Sequence, residues 1–310
     1  MATAWILPGG ASFGAIQAGV ATALLEQGVM PDLVVGASIG AINAALVAAD
    51  PTQAGAAEMC RLWTSIKRQD VLPLRAGPLL RGLLGRSNHL IPNDRLGCWL
   101  RDNMPVELIE DTPVRLAVTA SDLVSAEPVY LQRGDLVGAL LASTAIPGML
   151  PPVRIGGRWL VDGWVLANAP LGWVARAGVD TIYVLPCGGT RSYHGTAPMT
   201  MLARLVTDAS SRARVLAEHG LPRGGAAINQ ELVAALVART IRQEFLAWTP
   251  RVDVYLPPAP NVRRLSMMAF AEAPRLMDAA YQLANRWLPD ARPLTPYDVV
   301  EPHALSGVND

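Results

Sequence analysis

Apolar residues along the chain repeat with two different periods, and the switch between them lays out the elements. Trp5 to Leu7 is a short apolar run ending in Pro8 and a glycine pair, the form of a strand entering a loop. From Ala15 to Glu26 the apolar positions Ile16, Val20, Ala23 and Leu24 return at helical spacing, and Gly28 ends the run. Leu33, Val34 and Val35 form a β-branched run suited to a central parallel strand, and Ile39 to Ala48 reads as a buried helix. The opening segment therefore reads strand–helix–strand–helix, the order that builds a parallel sheet with crossover helices.

The same reading continues downstream. Residues 53–68 have amphipathic helical character, Pro78 to Ile91 reads as irregular, and Asn93 to Arg101 as a short helix. Val114 to Ala120 and Glu127 to Leu131 read as strands, and Leu136 to Ser143 as a helix that ends before Pro147. Arg158 to Val161 gives a short strand and Thr181 to Leu185 a buried one, with Leu171 to Ala177 as the crossover helix between them. Met199 to Ala217 and Glu231 to Ala247 read as long helices, Arg251 to Leu256 as a strand and Ala269 to Trp287 as a last helix. Beyond Pro289 the composition turns polar and proline-rich. The expected organisation is one α/β domain over residues 1–288 and an extended C-terminal tail over 289–310.

Composition narrows the function classes. Half of the 310 residues (51%) are hydrophobic and only 17% are charged, which suits a thick sheet covered on both faces and also a surface open to lipid. Lys+Arg and Asp+Glu each total 26, so there is no basic excess or stripe for nucleic acid. Cys60, Cys98 and Cys187 lie far apart with no CxxC, which points to a reducing compartment and to neither a disulfide framework nor a zinc site. No basic region precedes the first apolar stretch, so no secretory signal is expected. Leu33 to Ala49 is the most apolar segment, but Gly36, Ser38, Gly40 and Asn43 interrupt it, and strand, turn and helix describe it better than a membrane span. A cytoplasmic protein with transient membrane-surface contact is the expectation; the oligomeric state is left open.

The chemistry concentrates at the strand ends. Gly36-Ala37-Ser38-Ile39-Gly40 matches G-x-S-x-G between a strand and an apolar helix, the setting of a nucleophilic serine on a sharp turn. Small residues are needed two positions either side of Ser38, and the next helix N-terminus favours developing negative charge. The loop Gly9-Gly10-Ala11-Ser12-Phe13-Gly14 is neither a P-loop nor a dinucleotide fingerprint. Beside a serine elbow it reads as an oxyanion hole; as an isolated feature, a plain strand-to-helix turn explains it equally well.

Activation of Ser38 needs a base. None of His89, His194, His219 and His303 sits in a clear strand-end loop late in the core. Only one strand precedes Ser38, where the usual α/β-hydrolase order places several. A carboxylate within hydrogen-bond reach can serve instead, and Asp162 follows the strand Arg158–Val161 and precedes Gly163 at a strand end.

Four pieces together carry a resemblance: Gly9-Gly10 with Gly14, Gly36-x-Ser38-x-Gly40, Ala142-Ser143-x-Ala145-Ile146-Pro147-Gly148, and Asp162-Gly163 followed by Asn168-x-Pro170. In order and spacing, over about residues 4–190, the chain resembles the patatin-like phospholipase family. The resemblance implies a three-layer α/β/α sandwich with a mostly parallel sheet. It also implies a Ser38–Asp162 catalytic dyad, an oxyanion hole from Gly9, Gly10 and Ala11, elbow glycines Gly36 and Gly40, and hydrolysis of lipid acyl esters without metal or organic cofactor. Where the family loop usually has a third glycine and a basic residue this chain has Ala11 and Phe13, and Trp164 follows Asp162-Gly163.

Two other outcomes use the same residues. An acyl-enzyme on Ser38 could pass its acyl group to an alcohol, amine or thiol, giving an acyltransferase or thioesterase. A degenerate scaffold would only bind lipid or another protein. Asn168 and Pro170 are expected to fix the loop after Asp162. The leucines and arginines of Pro78 to Arg86 read as a connecting segment, with a lid or interfacial patch as the alternative. Met267, Met268 and Phe270 read as core rather than acyl pocket.

Overall fold

Side chains along each central strand alternate between two apolar cores on opposite faces of one sheet. The computed structural model describes residues 1–71, 73, 76–84, 86–188, 240, 242–262, 265–295 and 298. Among them β3 (Arg115–Asp122), β2 (Leu33–Ala37), β1 (Thr3–Leu7), β7 (Thr181–Val184) and β8 (Asp253–Tyr255) lie side by side and parallel in that order. Trp5 and Leu7 of β1, Val34 of β2 and Leu116 and Val118 of β3 enter the larger core. Ala4 and Ile6, Leu33 and Val35, and Ala117 enter the smaller one on the other face.

Helices cover both faces, giving the α/β/α layering. On the larger side lie α1 (Gly14–Glu26), α2 (Ile39–Ala49), α3 (Gln53–Ser65), α6 (Asp94–Asn103), α7 (Leu136–Ser143) and α9 (Ala273–Trp287). The shorter α4 (Arg68–Val71) and α5 (Ala76–Leu83) connect α3 to α6. On the smaller side lie α8 (Leu171–Arg176) and the helical residues 242–248, which bring in Phe245 and Trp248. Both α1 and α2 are buried nearly all round, because each packs on the sheet and on other helices at once.

One irregularity of the sheet positions the site. β3 has eight residues and β2 has five, so β2 covers only Arg115 to Thr119 of one edge of β3. β4 (Pro128–Leu131) runs antiparallel along the other edge. The overhang beyond β2 is taken by β6 (Arg158–Asp162), antiparallel, which pairs Asp162 with Ala120 and Leu160 with Asp122. Ala37 and Asp162 are therefore partnered to the consecutive β3 residues Thr119 and Ala120.

Several elements differ from the sequence expectation. Pro78 to Ile91 is not irregular throughout: α5 runs through Leu83, because Pro78 falls in the first turn, where a missing N–H costs no bond. β5 (Val153–Ile155) was not anticipated; it joins β6 through Gly156 and Gly157, both at positive φ (56° and 81°), as a tight hairpin. The expected helix Met199 to Ala217 lies outside the described residues, as does most of Glu231 to Ala247. Beyond Pro289, the Leu294 N–H donates to the Val254 carbonyl (2.7 Å) and its side chain enters the smaller core. Among the described residues no helix is long and apolar enough to cross a membrane.

Candidate active site

β2 ends at Ala37 and α2 begins at Ile39, leaving Ser38 alone to turn the chain. Its backbone sits at φ 54° and ψ −128°, a conformation costing about 1–3 kcal/mol for an L-residue and held only by surrounding structure. That structure leaves no space beside it. A Cβ on Gly40 would stand 2.0 Å from the Leu7 carbonyl oxygen, and one on Gly36 would stand 2.4 Å from the Gly40 carbonyl oxygen. The elbow glycines are thus dictated by β1 and by the turn itself.

The Ser38 hydroxyl donates to Asp162 Oδ2 at 2.8 Å. Asp162 is 2% exposed, and its other oxygen accepts the backbone N–H of Trp164 at 2.8 Å. Burial pushes the carboxyl up to about 7, against the lowering effect of the Trp164 and Ser38 hydrogen bonds. The backbone at Asp162 is also fixed: its N–H donates to the Ala145 carbonyl (3.0 Å) and its carbonyl accepts from Ser121 Oγ (2.9 Å). Ser143 ties the two halves together, its hydroxyl accepting the Ser38 N–H (2.9 Å) and its carbonyl accepting the Gly163 N–H (3.3 Å). The Trp164 ring packs with the smaller core, while its backbone serves the carboxylate.

The glycine-rich loop lies against the serine. A Cβ on Gly9 would meet Ser38 Cβ at 2.9 Å and Asn168 Oδ1 at 3.3 Å. The Gly9 N–H donates to that Asn168 oxygen at 2.7 Å and is occupied by it. Among the described residues no acceptor meets the N–H of Gly10 or Ala11. Ala11 carries a left-handed φ of 48°. The base of the loop is held by Gln17, whose Nε2 donates to the carbonyls of Pro8 (2.8 Å) and Leu185 (3.1 Å). Gln17 Oε1 in turn accepts from Asn43 Nδ2 (2.9 Å), and Asn43 Oδ1 accepts from Trp63 Nε1 (2.9 Å). Phe13, at the position of the family's basic residue, is buried in the larger core.

The structure thus brings together Ser38, Asp162, the Gly9–Ala11 loop and Asn168. Among the described residues neither Ser38 nor Asp162 bonds to a histidine: His89 pairs with Asn88, and His194, His219 and His303 lie outside those residues. Met267 and Met268 flank the larger core, and Phe270 is buried there, stacked on Trp63 (6.4 Å). Sequence reasoning assigned no role to Ser143, Gln17 or Asn43; the available signal was polar residues on helices otherwise apolar all round. Among the described residues, no group of three or more His, Cys, Asp or Glu is placed to hold a metal ion.

The family profile described as patatin-like phospholipase matches residues 6–173. The chain is similar to an uncharacterized NTE family protein of Mycobacterium tuberculosis, 28% identical over 186 residues, which are 60% of this chain and 49% of that protein. It is also similar to a lysophospholipase of Aspergillus terreus, 26% identical over 186 residues, covering 59% of this chain and 12% of that protein. The crystal structure of VipD from Legionella pneumophila superposes with a TM-score of 0.45 at 13% identity, covering 93% of this chain and 67% of that one. The chain spans about half or less of the length of these two sequence relatives.

Proposed function

The chain belongs to the patatin-like phospholipase family, and from that premise we propose that it hydrolyses lipid acyl esters with Ser38 as nucleophile and Asp162 as general base. The observation that carries the proposal is the 2.8 Å hydrogen bond from Ser38 Oγ to a buried carboxylate. A carboxyl group raised to about 7 is a far better proton acceptor than an ordinary aspartate and is still half ionised at neutral pH.

In the proposed cycle Asp162 takes the hydroxyl proton as Ser38 Oγ bonds to the ester carbonyl carbon. The carbonyl oxygen becomes an oxyanion, facing the N–H groups of Gly10 and Ala11 near the N-terminus of α2. The intermediate collapses by breaking the bond to the alcohol, which leaves with the proton from Asp162. Water then attacks the acyl-enzyme, giving its proton to Asp162, and release of the fatty acid returns that proton to Ser38. Gly9 takes no part as a donor in this scheme, because Asn168 occupies its N–H.

The lipid class rests on the family and on the chain's apolar composition. The Aspergillus relative's name makes a single-chain phospholipid the first substrate to try. The test is turnover of lysophosphatidylcholine and of a water-soluble p-nitrophenyl ester by wild type and Ser38→Ala. The proposal expects loss of at least roughly 10³-fold on both substrates. Retained turnover in a folded Ser38→Ala protein would remove Ser38 from the chemistry.

A further inference from the structure

The overhang of β3 that receives Asp162 continues into an exposed row of side chains. Leu123 follows Asp122, and its N–H donates to the Trp159 carbonyl at 2.8 Å, so the two residues face each other across the β3 and β6 chains. Trp159 is in turn the register partner of Arg154 on β5. Opposed residues on antiparallel chains share one face with Cβ atoms about 5 Å apart. Leu123, Trp159 and Arg154 therefore form one continuous row, with the Arg154 guanidinium over the Trp159 ring at 5.8 Å. All three are exposed, Leu123 at 56% and Trp159 at 43%, and Val124 at the tip of the turn is 81% exposed.

We propose that this row is the surface by which the protein docks on a lipid–water interface. The inference rests on the lipid-ester reading for the kind of partner. Three observations support it. The row lies on the strand that carries the candidate base: Trp159 is three residues before Asp162 on β6, roughly 10 Å along it, with the two side chains on opposite faces. An exposed Trp beside aliphatic side chains has the amphipathic character that settles at headgroup depth. Among the described residues Arg154 has no carboxylate partner, which leaves its guanidinium available to a lipid phosphate. Nearby Asp122 spends one oxygen on the N–H groups of Val124 and Ser125, and its other oxygen lies 3.9 Å from Arg158. Three apolar side chains are too few for a stable protein interface, which takes about 20–30 residues a side.

The test is co-sedimentation of the full chain with phosphatidylcholine vesicles, with and without phosphatidylglycerol. Wild type is compared with a Leu123→Ser, Val124→Ser, Trp159→Ala triple variant, with Arg154→Gln and with Leu80→Ser, Leu84→Ser. The unfolding midpoint of each reports folding, and p-nitrophenyl ester turnover reports the candidate site. The inference expects at least tenfold weaker partition for the triple variant and a few-fold loss for Arg154→Gln, with soluble-ester turnover unchanged. Unaltered partition of the triple variant, loss only in the Leu80 and Leu84 variant, or a change in oligomeric state instead would overturn it. Trp159-dependent vesicle binding by a protein that cleaves no ester would support the docking surface while removing the hydrolase reading.

Discussion

Ala11 and Ser38 both hold a left-handed φ, but for different reasons. Ser38 is the single residue between β2 and α2, and its strain comes with the elbow. Ala11 stands where the family loop usually has glycine, and its methyl group confers nothing that the backbone requires. Left-handed strain of roughly 1–2 kcal/mol is relieved by glycine, against ~0.5–1 kcal/mol of added freedom in the unfolded chain. Ala11→Gly should therefore stabilise the protein by about 0.5–1 kcal/mol in denaturant unfolding; an unchanged midpoint would mean that the loop does not hold this φ. Asn168 acts one step from the chemistry by holding the Gly9 N–H. Asn168→Ala should lower kcat about 10–100-fold with little change in KM, read by steady-state kinetics on a soluble ester. The sequence exposed Ser38 and Asp162 because local patterns frame them. It did not expose the Gly9–Asn168 bond, which joins positions 159 residues apart and depends on the folded register.

At the scale of elements, the unequal lengths of β2 and β3 create the slot that β6 fills. The parallel strands and the longer helices over them were legible from apolar runs bounded by turn signals and from helical periodicity. The β5–β6 hairpin was only half legible, because β5 contributes three residues to it. Gly40 shows how tightly the elbow is keyed to β1. Gly40→Ala should destabilise the fold by about 3 kcal/mol or more, since the methyl would meet backbone rather than a movable side chain. Gly77→Ala in α5 is the matched control: nothing lies within 4 Å of its added Cβ, and a gain of about 0.5–1 kcal/mol is expected. Thermal melts of the two variants, moving in opposite directions, check both statements.

At the scale of the whole molecule, the packing that leaves Asp162 2% exposed sets its protonation. The folded carboxyl, near 7, lies above the ordinary aspartate value of 3.8. Between those values the native state binds the proton more tightly than the unfolded chain, so burial lowers stability progressively as pH rises from about 4 to about 7. Above 7 the full cost is present, on the order of 4 kcal/mol. Asp162→Asn removes this dependence, so its stability advantage over wild type should be small near pH 4, grow towards pH 7 and then level off. Urea unfolding across that range checks it. Neither the burial nor its sign could be read from an Asp-Gly pair in the sequence, because it arises from strands and helices far apart along the chain. The measurement that bears most directly on the central claim is the rate of fluorophosphonate labelling in wild type, Ser38→Ala and Asp162→Asn from pH 5 to 9. The account predicts a wild-type rate that rises with pH to a plateau above about 7, no labelling of Ser38→Ala, and slow labelling of Asp162→Asn without that inflection. Labelling of Ser38→Ala at the wild-type rate, or an inflection that persists in Asp162→Asn, would contradict it.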